Sequence, residues 1–267
     1  METYDLIVMG GGPAGYRGAE RAGAAGMKTL VIEKRRLGGV CLNEGCIPSK
    51  TFLNSAKVYN YASHGQPYGV YVAEARFDHK AVLERKNQVV KNLVSGVQMQ
   101  LKKSGVAIME GHGEIKSKDQ KGFQVWVEGE EILGKRILIA TGSIPAIPPI
   151  PGMDAGLSSG FVLTNREILD VEVIPSSLVI IGGGVIGLEM AAYFCSAGSQ
   201  VTVVEMLDHI AGDMDPDLSA VLMRRLKKKG VSFMLKSKAN EILDKSLLVE
   251  YNGQINQLAA DKVLVCV

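Results

Sequence analysis

The sequence has no apolar run approaching the ~18 residues that a membrane-crossing helix needs. Its first apolar stretch, residues 6–9, is short and runs into glycines, which is unlike a secretory leader. Net charge is nearly absent: 30 Lys and Arg against 28 Asp and Glu leave +2 over 267 residues. That balance gives no general pull toward nucleic acid or an anionic membrane. Cysteine is scarce, with only Cys41, Cys46, Cys195 and Cys266, whereas a secreted disulfide scaffold packs more into a shorter chain. The expectation is a cytoplasmic protein with no membrane or nucleic-acid partner, in which any disulfide is catalytic. Histidine is scarce too: His64, His79, His112 and His209 stand outside every motif described below, and no metal site is expected. Glycine is not scarce. The 31 glycines and 46% hydrophobic content suit a compact α/β chain long enough for two domains.

Two segments repeat. Residues 6–9, Leu-Ile-Val-Met, read as a buried strand entering Gly10-Gly11-Gly12-Pro13-Ala14-Gly15, a G-x-G-x-x-G run; a helix over about 14–25 follows, then a strand over 29–33 ending on Glu33. Residues 178–181, Leu-Val-Ile-Ile, enter Gly182-Gly183-Gly184-Val185-Ile186-Gly187, again with a helix pattern and a strand over 201–205 ending on Glu205. The acid stands 23 residues after the first glycine in both copies. Each copy thus has the strand, helix and acid that turn a weak motif into a dinucleotide-binding unit. The glycines turn tightly and admit the pyrophosphate to the backbone; the helix start offers N–H groups to the anion; the acid accepts from ribose hydroxyls. Glu205 favours a free 2′-hydroxyl over a 2′-phosphate, and Met206-Leu207-Asp208 supply no arginine, so the second unit reads as an NAD site.

Between the copies, 77–103 has the apolar spacing of a long amphipathic helix. Residues 106–109, 123–127 and 132–133 read as strands of a small sheet, 110–113 as a loop, and 136–140 as a further strand running into Thr141-Gly142-Ser143. Prolines 145, 148, 149 and 151 stiffen a connection, which places the domain boundary at Ile150: a first domain over 1–150 and a second over 151–267. Residues 213–229 read as a helix with acids first and Lys227-Lys228-Lys229 last, the order that complements its dipole. Cys195 and Cys266 read as small apolar packing residues.

Cys41 and Cys46 lie five residues apart, just after the first unit, in Gly38-Gly39-Val40-Cys41-Leu42-Asn43-Glu44-Gly45-Cys46-Ile47-Pro48-Ser49-Lys50. A disulfide closing so small a loop removes little unfolded-state entropy, so a pair that opens and closes beside a redox cofactor is the better reading. A cysteine near a helix start is expected to have a lowered pKa. This segment resembles the redox-active disulfide of the flavoprotein disulfide reductases. Its wording, Cys-Leu-Asn-x-Gly-Cys-Ile-Pro-Ser-Lys, is most similar to the dihydrolipoamide dehydrogenase branch, while the glutathione and mercuric reductases carry similar versions. The resemblance extends over 4–267.

The resemblance implies an α/β fold of two Rossmann-like domains, FAD first and NAD second. It implies that Cys41 is the exchange thiol, that Cys46 faces the flavin, and that Lys50 sits near flavin N5, paired with Glu189. Further contacts to FAD fall on Gly10, Gly12, Gly15, Glu33, Lys34, Gly39, Val40, Gly113 and the segment Ala140-Thr141-Gly142-Ser143. Those to NAD fall on Gly182, Gly184, Val185, Ile186, Gly187 and Glu205. The implied reaction passes electrons from a dithiol to Cys41–Cys46, to FAD and to NAD. The implied partner is dihydrolipoamide on a lipoyl-carrier domain of a 2-oxoacid dehydrogenase or glycine cleavage complex, and the full-length enzyme is expected to be a homodimer. In this family the general base is a histidine from a C-terminal dimerisation domain. No such domain is expected within these 267 residues, so this chain is expected to be the N-terminal portion of such an enzyme and to turn over poorly alone. Three alternatives remain open: a related disulfide reductase of the glutathione or mercuric type, a non-catalytic nucleotide-binding module, and a flavin-free thiol redox protein that keeps Cys41–Cys46 exchange.

Overall fold

The computed structural model describes residues 2–267. They fall into two compact units: one runs to residue 48 and takes in 86–144, and the other joins 49–85 to 145–267. A cut at Ile150 separates the two glycine motifs, but the units interleave, because residues 49–85 pack with the second motif.

In the first unit, strands Leu6–Met9, Thr29–Glu33, Ala107–Glu110 and Ile137–Ile139 form a parallel sheet in the spatial order 107–110, 29–33, 6–9, 137–139. Ile7, Val8, Leu30 and Val31 are at most 1% exposed, as continuous apolar runs in parallel strands should be. The strand order reverses at Leu6–Met9. Gly10 therefore leaves the sheet at a topological switch point, where open α/β sheets bind ligands. Helix Pro13–Ala24 follows, with Ala19 fully buried on the sheet. A second sheet contains Glu2–Tyr4, Glu130–Gly134, Gly122–Val127 and Gly113–Asp119. The segment at 106–109, grouped with this small sheet in the sequence reading, belongs instead to the parallel sheet. Leu30 to Glu33 pair with Ala107 to Glu110 along its edge.

The second unit repeats this plan. Strands Ser232–Met234, Gln200–Val204, Ser177–Ile181, Lys262–Val265 and Val162–Leu163 lie in that spatial order, all parallel. The reversal falls on Ser177–Ile181, just before Gly182. An antiparallel meander, Ser237–Leu243, Ser246–Tyr251 and Gln254–Ala259, occupies the position that 113–134 occupies in the first unit. In both meanders the last hairpin turns on two positive-φ residues ending in glycine, Glu128-Gly129 and Asn252-Gly253. That is the backbone a two-residue hairpin needs to match strand twist. Helix Pro216–Lys228 starts one residue after its cap, Asp215, whose carboxylate accepts from the N–H groups of Asp217 and Leu218.

Within the second unit, helices Cys46–Ser63 and Val185–Ser196 meet through stacked contacts. The Phe52 ring lies on Tyr193 at 4.4 Å, and Asn60 donates to the Ser196 hydroxyl at 3.0 Å. Tyr193 is fully buried, which holds its hydroxyl well above the ordinary phenol range. Its oxygen lies 2.7 Å from His79 Nδ1, while His79 Nε2 lies 2.7 Å from the Val171 carbonyl. A carbonyl only accepts, so Nε2 carries the hydrogen and Nδ1 accepts from Tyr193. Tyr193→Phe leaves that buried acceptor unpaired and is expected to cost the unit about 1–3 kcal/mol, measured by urea unfolding. A phenylalanine variant as stable as the parent contradicts this.

Candidate functional site

Both glycine runs form cradles. A Cβ at Gly10 would stand 2.3 Å from the Ala140 carbonyl oxygen, and one at Gly15 would stand 1.8 Å from that of Gly10. In the second unit the same distances are 2.4 Å from Gly182 to the Cys266 oxygen and 2.4 Å from Gly187 to the Gly182 oxygen. Gly10 and Gly182 also have φ of +103° and +106°. The first and third glycines are therefore required by the protein's own packing. The second is not: at Gly12 the nearest atom to an added Cβ is 3.7 Å away, and at Gly184 it is 3.9 Å away. Both helices begin without a side-chain cap, at Pro13 and Val185, leaving early N–H groups for another acceptor. Space before the second glycine, beside an uncapped helix start, fits the pyrophosphate of a dinucleotide.

The two acids behave alike. Glu33 accepts from Gly11 N at 2.7 Å and Arg35 N at 2.8 Å; Glu205 accepts from Gly183 N at 2.6 Å and Leu207 N at 2.9 Å. Each carboxylate thus binds backbone on both oxygens; its remaining lone pairs leave room for the ribose hydroxyl donors expected of it.

In the first unit the cradle opens on a crevice of about 90 Å³ that includes Gly10, Glu33, Lys34, Gly113 and Thr141. Gly113 lies there, and a Cβ on it would meet the side-chain ends of Met9 and Ile32 at 2.7 and 3.1 Å, so those side chains must shift to admit one. Ala140 supplies the carbonyl that crowds Gly10, and Gly142 has φ +72°. Ser143 is exposed. In the second unit Gly182, Gly184 and Glu205 open on a cavity of about 870 Å³, within the size range of small-molecule sites. Val185 and Ile186 expose apolar surface on the first helical turn beside it.

Gly38 and Gly39 dock the cysteine segment onto the first cradle. Gly38 N donates to the Gly11 carbonyl at 2.8 Å, and a Cβ on Gly39 would stand 2.6 Å from Gly12 Cα. Gly39 starts the helix Gly39–Glu44, which carries Val40 and Cys41. The helix ends at Gly45, and Cys46 begins the next helix with Pro48 as its third residue. The cysteines therefore occupy two helices, not one. Neither is in a disulfide; Cys46 is exposed and Cys41 half-buried. The lowered pKa expected of Cys41 is not found. Burial, then a hydrogen bond and charge from Cys46, push its thiol up to about 11. The pH consequence has a definite sign. The raised value stabilises the fold below the ordinary thiol range, and this is lost as pH rises through about 11. Site-resolved alkylation of Cys41 in the reduced chain should therefore keep accelerating past pH 9, toward 11. A rate that levels off by pH 9 contradicts it.

In the second unit, Lys50 on helix Cys46–Ser63 forms an ion pair with Glu189 on helix Val185–Ser196. Lys50 is largely exposed, and such pairs add little stability, so the placement of the charge matters more than its energy. Cys195 donates to the Lys229 carbonyl at 3.0 Å. Cys266 lines the larger cavity, and burial pushes its thiol up to about 12. His112 and Lys238, which no motif marked, also line the two sites. Among the described residues no cluster of His, Cys, Asp or Glu is placed to hold a metal ion, and no helix is long and apolar enough to cross a membrane.

The family model described as pyridine nucleotide-disulphide oxidoreductase matches residues 4–267. A dihydrolipoyl dehydrogenase of Acholeplasma laidlawii is 42% identical over 100% of this chain and 78% of its own length. One from Mycoplasma genitalium is 39% identical over 99% of this chain, and one from Bacillus subtilis is 38% identical over 99%. The chain spans 57% and 58% of those two. Among solved structures, the Cu(II) complex of the HOCl-induced flavoprotein disulfide reductase RclA from Escherichia coli superposes with a TM-score of 0.82. It shares 28% identity over 100% of this chain and 56% of that one.

Proposed function

The chain belongs to the pyridine nucleotide-disulphide oxidoreductase family, on its dihydrolipoyl dehydrogenase branch, and from that premise we propose that it relays an electron pair from a dithiol, through Cys41 and Cys46, toward NAD. The observation that carries this reading is the cysteine pair itself: two thiols in hydrogen-bonding contact, on a segment docked against a glycine cradle. FAD and NAD are the cofactors of this branch, and the two cradles have the residues to hold them. Gly12, Glu33 and the Pro13 helix start would take the first, and Gly184, Glu205 and the Val185 helix start the second.

In the oxidised pair, a substrate thiolate attacks Sγ of Cys41. The Cys41–Cys46 bond breaks, a substrate–Cys41 disulfide forms, and Cys46 leaves as thiolate. The substrate's second thiolate then closes its own disulfide and releases Cys41, which takes a proton. Burial and the Cys46 thiol beside it hold that proton on Cys41 to about pH 11. Exposure alone would favour Cys46 as the exchange thiol. We assign Cys41 because the family resemblance gives Cys46 to the flavin side, where bound FAD would cover its exposed sulfur. Bound FAD supplies the two-electron chemistry between the dithiol and the nicotinamide. Glu189 holds the Lys50 ammonium, and a positive charge beside a reduced flavin would favour its electron-rich ring. The dithiol we propose is dihydrolipoamide on a carrier domain of a 2-oxoacid dehydrogenase or glycine cleavage complex, and the full-length enzyme a homodimer.

The test runs the path backwards. Anaerobic NADH should reduce the purified yellow chain and expose two thiols beyond those of a Cys41→Ser, Cys46→Ser double variant. No additional thiol contradicts the relay.

A further inference from the structure

The second residue of G-x-G-x-x-G is the variable one, yet both copies here place glycine at it, Gly11 and Gly183. The structure gives the reason. Each middle glycine is buried, and its peptide is held from both sides. Gly11 N donates to Glu33 and its carbonyl accepts from Gly38 N at 2.8 Å. Gly183 N donates to Glu205 and its carbonyl accepts from Ala211 N at 2.8 Å. The donors on the carbonyl side both lie after the second strand and both have positive φ, Gly38 at +96° and Ala211 at +67°. Alanine rarely adopts that conformation, and such strain persists only where the surroundings enforce it. A Cβ at Gly183 would stand 3.0 Å from Glu205 Oε2, and one at Gly11 would stand 2.8 Å from Leu37 and 3.2 Å from Glu33 Oε2. Only glycine lets the carboxylate reach the N–H without a shift.

We propose that Glu205, and Glu33 in the duplicate, are positioning residues for the phosphate loop. Each carboxylate clamps the middle-glycine N–H and the N–H two residues beyond itself, fixing the cradle before any ligand arrives. The ribose contact uses what remains of the same carboxylate. Charge-assisted bonds to backbone N–H are the strong class of hydrogen bond, so loss of the clamp loosens the loop that binds pyrophosphate. Removing the acid should therefore weaken ligands that have no ribose hydroxyl to offer.

This inference rests on the dinucleotide reading of the second unit, and a thermodynamic cycle separates the two. NAD and its analogue lacking both hydroxyls on the adenosine ribose are titrated calorimetrically into the full chain and into Glu205→Ala and Glu205→Gln. A pure ribose reader loses affinity for NAD alone. The clamp predicts that Glu205→Ala also weakens the hydroxyl-free analogue about tenfold or more. Glu205→Gln, whose amide accepts with one oxygen only, should fall between. Equal affinity of parent and Glu205→Ala for the analogue overturns the proposal. Amide hydrogen exchange on the ligand-free chain gives an independent readout. Gly183 N–H should exchange at least tenfold more slowly in the parent than in Glu205→Ala. Equal exchange overturns the clamp, even if the parent binds no dinucleotide, an outcome that would sink the NAD reading instead.

Discussion

Gly184→Ala should leave the second unit as stable as before or slightly more so, and should remove most of its affinity for NAD. The two effects have opposite signs because Gly184 answers to a ligand rather than to the fold. Its φ of −74° suits any residue, and an added Cβ meets nothing nearer than 3.9 Å. Alanine at a compatible site reduces unfolded-state entropy and contributes about 0.4–1 kcal/mol. The same methyl group fills the space where a pyrophosphate approaches the helix start, and we expect about a hundredfold loss of affinity, or ~2.7 kcal/mol. Gly12→Ala should do the same to flavin retention in the first unit, since its Cβ stands 3.7 Å from Gly39 Cα. Gly187→Ala is the contrast. Its Cβ would stand 2.4 Å from the Gly182 oxygen, so the loop must move and stability falls with affinity. Thermal unfolding of the ligand-free variants, paired with calorimetric titration, checks all three. Undiminished NAD binding by Gly184→Ala contradicts the cradle.

Cys46→Ser should abolish both dithiol-driven reduction of the chain and the long-wavelength absorbance that a thiolate gives beside a flavin. Cys41→Ser should abolish the first and keep the second. The asymmetry follows from the role proposed for each sulfur, Cys46 toward the flavin and Cys41 toward the dithiol; Cys41 itself holds its proton to about pH 11 through burial and its bond to Cys46. Loss of exchange should be at least a thousandfold in either variant, because no disulfide can form and the covalent route is gone. Anaerobic spectra of the two variants check this. A long-wavelength band in Cys46→Ser that is missing from Cys41→Ser reverses the assignment of the two sulfurs.

Most of the architecture was legible because it is written twice. The repeated strand, glycine run, helix and acid at equal spacing specified both parallel sheets, and the wording from Cys41 to Lys50 specified the family. What escaped the sequence lay in contacts between distant segments. Residues 106–109 have the same apolar look as 123–127, and only pairing with Thr29–Glu33 assigns Ala107–Glu110 to the parallel sheet. Gly45 does not announce that it divides the cysteines between two helices. The shift of Cys41 depends on its burial and on Cys46, where local position near a helix start argued the opposite sign. His79 stands outside every motif, and nothing in the sequence pairs it with Tyr193, 114 residues away. The middle glycines were visible as Gly-Gly-Gly in both copies, but their reason appears only when Glu33 and Glu205 are seen to bind them.

A reducible cysteine pair beside a bound flavin should show itself in an anaerobic absorbance titration of the purified chain, first with dithionite and then, on fresh protein, with dihydrolipoamide. Flavin bands should be present at the outset and, at two electrons per chain, a new long-wavelength band should arise from Cys46 beside the flavin. A colourless chain, or flavin bands that bleach without that band at any stage, contradicts it.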